Sequence, residues 1–152
     1  TETEAYSEIE KGCHAYNKRK TERTKIMFDA GGLAYVYLCY GMHHLFNIVT
    51  GSKDVAQAVL IRSINPTIGV DEILHRRKKT RMDKNLCNGP GKVCQALGIT
   101  KSHYGMELTG NNVWIEQSLL PVSEQQITTT PRIGIEYAEE DKLLLWRFLL
   151  TV

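Results

Sequence analysis

The sequence has no C-x-x-C pair; its four cysteines, Cys13, Cys39, Cys87 and Cys94, are scattered along the chain. Structural zinc sites draw ligands from closer pairs, so no metal is expected. His43 and His44 are adjacent, but neighbouring strand residues face opposite ways and chelate poorly. A secretory signal pattern and a long apolar run are also lacking. That argues against secretion and against a membrane partner, and makes reduced thiols the default. No internal repeat, low-complexity tract or linker divides the 152 residues, of which 42% are hydrophobic. One domain over residues 1–152 with one core is the expectation.

Charge of one sign is scarce too. Nineteen basic residues against 17 acidic ones leave a net charge of +2, so total charge announces no nucleic-acid partner. The distribution is less even. Lys18, Arg19, Lys20, Arg23 and Lys25 form one basic run, and Arg76 to Lys84 contains a second. Much of the acidic count lies in Glu2 to Glu10 and Glu136 to Asp141. Such a chain can present a basic face while staying near neutral, although a basic run is also an ordinary solvated surface. Phenylalanine and tryptophan are few, three and two, against seven tyrosines. Tyrosine offers a flat ring with a polar tip, suited either to a half-buried core or to gripping something planar.

Local patterning predicts the elements. A strand is expected over Thr1 to Tyr6, which would set Glu2, Glu4 and Tyr6 on one face. Leu33 to Tyr40 and His44 to Thr50 are β-prone and flank Tyr40-Gly41-Met42, which reads as a hairpin. Val55 to Ile64 is a further strand. Val70 to about Lys79 suits an amphipathic helix, and "NGPGKVCQALGI" a helix with Pro90 near its first position and a stop at Gly98. Val113 to Glu116, Gln125 to Thr130 and Leu143 to Leu150 are candidate strands. The class is α+β, a mixed or antiparallel curved sheet with flanking helices and a protruding hairpin.

Three groups could carry chemistry. Tyr6, His14 and Tyr37 could sandwich a nucleobase, or be ordinary core and surface aromatics. Tyr40, at the hairpin tip, suits a wedge that unstacks a base step. Glu4 and Arg62 could hold and deprotonate a water, or form a structural ion pair. The residues alone leave open an enzyme, a non-catalytic nucleic-acid-binding module and a structural domain with incidental aromatics.

"ETEAY", "MFDAGGLAYVYLCYGMHHLFNIV", "AVLIRSINP", "LCNGPGKVCQALGI" and "RIGIEYA" occur in this order from Glu2 to about Phe148. Together they resemble the alkyladenine (3-methyladenine, methylpurine) DNA glycosylase family. The resemblance implies a monofunctional base-excision-repair enzyme without cofactor or metal. It would flip alkylated or deaminated purines out of double-stranded DNA and leave an abasic site. Glu4 would be the general base, with Arg62 and the backbone of Ile133 helping to place the water. Tyr6, His14 and Tyr37 would wall the base pocket, and Asn47 would crowd the exocyclic amino group of guanine. Tyr40 would intercalate from the minor groove with Met42 beside it, while Thr21 and Arg23 would contact the DNA backbone. The resemblance also implies a monomer, located with the DNA in a bacterial cytoplasm or a eukaryotic nucleus, and a helix and strand preceding "ETEAY". It is weaker where Glu8, Ile9, Glu10 and Lys11 stand in place of a more usual Gly-Pro turn, which leaves the placement of His14 open.

Overall fold

The computed structural model describes residues 1–118 and 121–151. Its centre is a six-stranded sheet built from β1 (Glu2–Ser7), β2 (Ala34–Cys39), β3 (His43–Val49), β4 (Gln57–Ser63), β5 (Ile127–Thr130) and β6 (Arg147–Leu150). The spatial order is β2-β3-β4-β1-β6-β5, and every pairing between these strands is antiparallel. With helices flanking it, the sheet is α+β as expected. Although β1 comes first in the chain, it lies inside the sheet, paired to β4 on one side and β6 on the other.

Alternation along β2 sends Tyr35 to one face and Val36 to the other, and each face has its own core. Tyr35 packs with Met27, Phe28, Val49 and Ala58. Val36 packs with Phe46, Cys94, Ile99 and Leu108. The second core is covered by α2 (Pro90–Leu97), which opens on Pro90 in its first turn and stops at Gly98 in a left-handed conformation. The ring of Pro90 costs no hydrogen bond there, and glycine meets no Cβ penalty at the stop. α1 (Val70–Arg77) packs against α2 through Ile73, Leu86 and Ala96. It ends two residues earlier than its pattern suggests, because Lys78 turns left-handed at φ 51°.

Two expected strands are corrected. Val113 to Glu116 forms no strand, only an isolated bridge between Thr109 and Trp114, since no neighbouring strand offers it a ladder. The apolar run Leu143 to Leu150 becomes a strand only from Arg147, where β5 begins to pair with it; a 3-10 segment occupies Glu136–Leu143. No helix among the described residues is long and apolar enough to cross a membrane.

Candidate active site

Strand register assembles the site. Across the sheet, Tyr35 pairs with Asn47, Asn47 with Leu60, Leu60 with Glu4, and Glu4 with Arg147. Directly paired residues share a face, so Glu4, Asn47 and Tyr35 lie in one row, and Tyr6 is two places along from Glu4 on the same side. Arg62 reaches this row through a bulge: Thr3 pairs with Ile61 but Glu2 with Ser63, leaving Arg62 as the extra residue. A bulge re-aims the side chain it carries, here toward two carboxylates.

Glu4 is fully buried. Its Oε1 accepts the Ile133 N–H at 2.8 Å and lies 3.4 Å from Arg62 Nη1. Its Oε2 accepts the Tyr6 hydroxyl at 2.8 Å. A buried carboxyl group needs such partners to offset its lost hydration. Burial, the charge of Glu4 and the bond to it all push the Tyr6 phenol upward, so it remains a donor. Arg62 Nε in turn donates to Glu2 Oε1 at 2.8 Å, and Arg147 Nε donates to the same oxygen at 2.6 Å. Burial works to raise the Glu2 pKa, but the guanidiniums of Arg147 and Arg62 outweigh it and hold the carboxyl below its ordinary range.

In front of this cluster lies a cavity of about 380 Å³, lined among others by Tyr6, His14, Tyr37, Asn47, Arg62 and Ile133. The His14 ring meets Tyr37 edge-on, centroids 4.7 Å apart, and its Nδ1 is 2.8 Å from the Tyr35 hydroxyl. Burial first, then the charges of Arg23 and Arg19, lower its pKa to about 4, so the imidazole is neutral near pH 7. The Asn47 amide nitrogen donates to the Tyr35 carbonyl at 3.1 Å, which fixes its plane against the cavity wall. Cys13 also lines the cavity, and burial pushes its thiol up to about 12. No lysine is among the lining residues, and no group of three or more His, Cys, Asp or Glu among the described residues could hold a metal.

The expected hairpin is present. Tyr40 and Gly41 both have positive φ, 49° and 69°, and the Met42 N–H closes the turn on the Cys39 carbonyl at 3.1 Å. Two positive φ values match the twist of a hairpin but cost a bulky residue strain, and Tyr40 adopts one. Its ring is 85% exposed and Met42 is 72% exposed, with Tyr40 at the rim of the cavity. Arg23 also lines the cavity, its guanidinium 5.6 Å from the Tyr37 ring centroid. Thr21 is set apart from it: its hydroxyl and that of Thr24 bind one another at 3.0 Å within a local turn. His43 sits against Gly91 at the start of α2, where a Cβ on the glycine would come within 3.1 Å of the histidine.

The sequence reading did not find the second buried ion pair. Arg132 donates bidentately to Glu10, Nη1 to Oε1 at 2.8 Å and Nη2 to Oε2 at 2.6 Å. It also donates to the carbonyls of Ala5 and Asp141 and lies over the rings of Tyr6 and Trp146. Glu10 Oε2 accepts the Gly12 N–H, and Glu8 Oε2 accepts the Ala56 N–H. The carboxylates that stand in place of a Gly-Pro turn are thus buried anchors that place His14 at the cavity. Tyr137, at the cavity mouth, donates its hydroxyl to the Gly12 carbonyl and was also missed.

A family model described as methylpurine-DNA glycosylase matches residues 1–152. A relative from Chlamydia felis, called "Putative 3-methyladenine DNA glycosylase", is 52% identical over 99% of this chain and 77% of its own length. Relatives of the same name from Clostridium novyi and Bacillus cereus are 45% and 47% identical, over 98% and 97% of this chain and 77% and 76% of theirs. Agreement of that extent spans every strand that builds the site as well as the hairpin in front of it, and the chain belongs to the methylpurine-DNA glycosylase family.

Proposed function

We propose that the protein hydrolyses the N-glycosidic bond of alkylated purines in double-stranded DNA by base flipping and water attack, leaving an abasic site. The observation that carries this reading is a buried carboxylate, Glu4, whose partners Tyr6, Arg62 and Ile133 all line an aromatic cavity with an exposed tyrosine at its rim. The substrates it favours are 3-methyladenine and 7-methylguanine, with hypoxanthine and ethenoadenine as further candidates.

A base inside a duplex is out of reach, and extruding it costs about a few kcal/mol. Tyr40 offsets that cost by entering the vacated stack from the minor groove, flanked by Met42. The turn already holds Tyr40 outward, so no rearrangement of the tip is required. In this reading Arg23 and Thr21 contact the DNA backbone. The purine enters between Tyr6, His14 and Tyr37, where a cationic methylated base is attracted to the tyrosine faces. In this reading Asn47, which lines the cavity, crowds the exocyclic amino group of guanine.

Glu4 Oε2 accepts one bond, from Tyr6, and retains a further acceptor site for water. Arg62 and the Ile133 N–H hold Oε1 and leave Oε2 to do the chemistry. As water oxygen bonds to C1′, its proton passes to Glu4, and the C1′–N electron pair leaves with the base. A positively charged methylpurine thereby departs neutral. The carboxylate also stabilises the oxocarbenium-like charge on the sugar. A lyase would need an amine to attack C1′, and the cavity wall has no lysine to supply it, which supports a monofunctional enzyme. The reading places a monomer in the cytoplasm, at the nucleoid, consistent with the bacterial sources of the relatives.

The test is chromatography for free methylpurine after incubation with alkylated duplex DNA. Release by the wild type and its loss in Glu4→Gln are expected. Tight, salt-sensitive binding with no base released would instead identify a binding module.

A further inference from the structure

We propose that Glu2 is a positioning residue for the reaction, acting through Arg62 to keep the catalytic carboxylate available. The inference rests on the reading of Glu4 as the base. Two carboxyl and two guanidinium side chains share the buried end of β1: Glu2, Glu4, Arg62 and Arg147. They are 16%, 0%, 12% and 19% exposed. Their charges cancel, but the geometry is uneven. Both Arg Nε atoms go to one oxygen of Glu2, at 2.8 and 2.6 Å, whereas Arg62 approaches Glu4 only with Nη1 and only to 3.4 Å.

A guanidinium between two carboxylates settles on the one that binds it more closely, and the bidentate fork is the closest arrangement available to it. Here Glu2 takes the Nε and thereby denies Glu4 the side-on fork. A carboxylate held in a full fork has its lone pairs and its charge committed, and so makes a poor acceptor for a proton from water. Drawing the Arg62 guanidinium toward Glu2 leaves Glu4 with a steering contact at Oε1 and an Oε2 bound only by the Tyr6 hydroxyl. The bulge at Arg62 serves the same end, because it aims one side chain between the two carboxylates. The other charged group facing Glu2 is Arg147 from β6, which makes no ion pair with Glu4 among the described residues.

Glu2→Gln keeps the shape and an acceptor oxygen while removing the charge that draws Arg62 away. Single-turnover release of 3-methyladenine should fall about 10-fold or more, with affinity for abasic-site DNA unchanged within about 2-fold. A double-mutant cycle with Arg62→Met separates positioning from support of the fold. If Glu2 acts through Arg62, the loss caused by Glu2→Gln disappears in the Arg62→Met background. Equal fractional losses in both backgrounds, or no loss in the wild-type background, would overturn the proposal. The same cycle with Glu2→Asp, which keeps the charge and should retain most of the rate, covers the case in which Glu2→Gln melts below the assay temperature. Absence of base release by the wild type would strike at the glycosylase reading instead, so the two failures are distinguishable.

Discussion

Two buried glutamates, six residues apart, each meet an arginine, and the two pairs are built in opposite ways. Glu10 and Arg132 form a closed fork with both carboxylate oxygens engaged, and backbone carbonyls take further bonds from the guanidinium. Glu4 and Arg62 meet at 3.4 Å through one nitrogen, and the remaining partners of Glu4 are a phenol and a backbone N–H. The closed pair joins the His14 loop to β1 and the segment before Ile133. Arg62 of the open pair lines the cavity. A closed fork suits a clamp, whereas an acceptor must be left incomplete if it is to take a proton.

The comparison breaks most sharply under isosteric substitution. Glu4→Gln should lower base release by about 10²–10⁴-fold, the usual contribution of a positioned base, while leaving the melting temperature within a few degrees. Single-turnover kinetics and a thermal melt read both quantities. Glu10→Ala should do the reverse. Removing one partner of a buried pair costs about 3–5 kcal/mol, which for a domain of this size lowers the melting temperature by about 6–20 °C. Activity per folded molecule should survive in the cold.

Acid provides a third probe, through His14. Its folded-state pKa of about 4 lies below the ordinary 6.5. As pH falls the unfolded chain therefore takes the proton first, and stability drains away between pH 6.5 and 4 and levels off below. The loss is on the order of 3 kcal/mol. His14→Gln should flatten that part of the stability profile, as denaturant titrations at pH 7 and 4.5 would show. The smallest effect concerns the hairpin. Tyr40→Ala should weaken binding to lesion-containing duplex by about 1–3 kcal/mol without lowering stability, because the residue is 85% exposed.

The parts of the molecule legible in sequence were those governed by short-range pattern. The β2–β3 hairpin follows from Tyr40-Gly41-Met42 between β-prone runs, and α2 from Pro90 and Gly98. The apolar run from Val113 misled because a strand needs a partner as well as a pattern. Resemblance, rather than pattern, singled out Ile133 and Asn47 and chose a role for Glu4 and Arg62; strand register and a bulge align Glu4, Asn47 and Arg62, and Ile133 joins them from a loop. Arg132 escaped notice because its partner lies 122 residues away, in a polar stretch that reads as a wet turn. Nothing local distinguishes a buried Glu10 from an exposed Glu139. The bulge at Arg62 was equally silent, since it exists only in the pairing of β1 with β4.

Because β1 is laddered on both edges, Glu4 can become detached only if the sheet itself is pulled open. Amides of β1 should thus exchange with deuterium only at the rate of global unfolding, while those of the hairpin tip exchange freely. On heating, catalytic competence and tertiary structure should then vanish in a single transition, with no folded but inactive species between them.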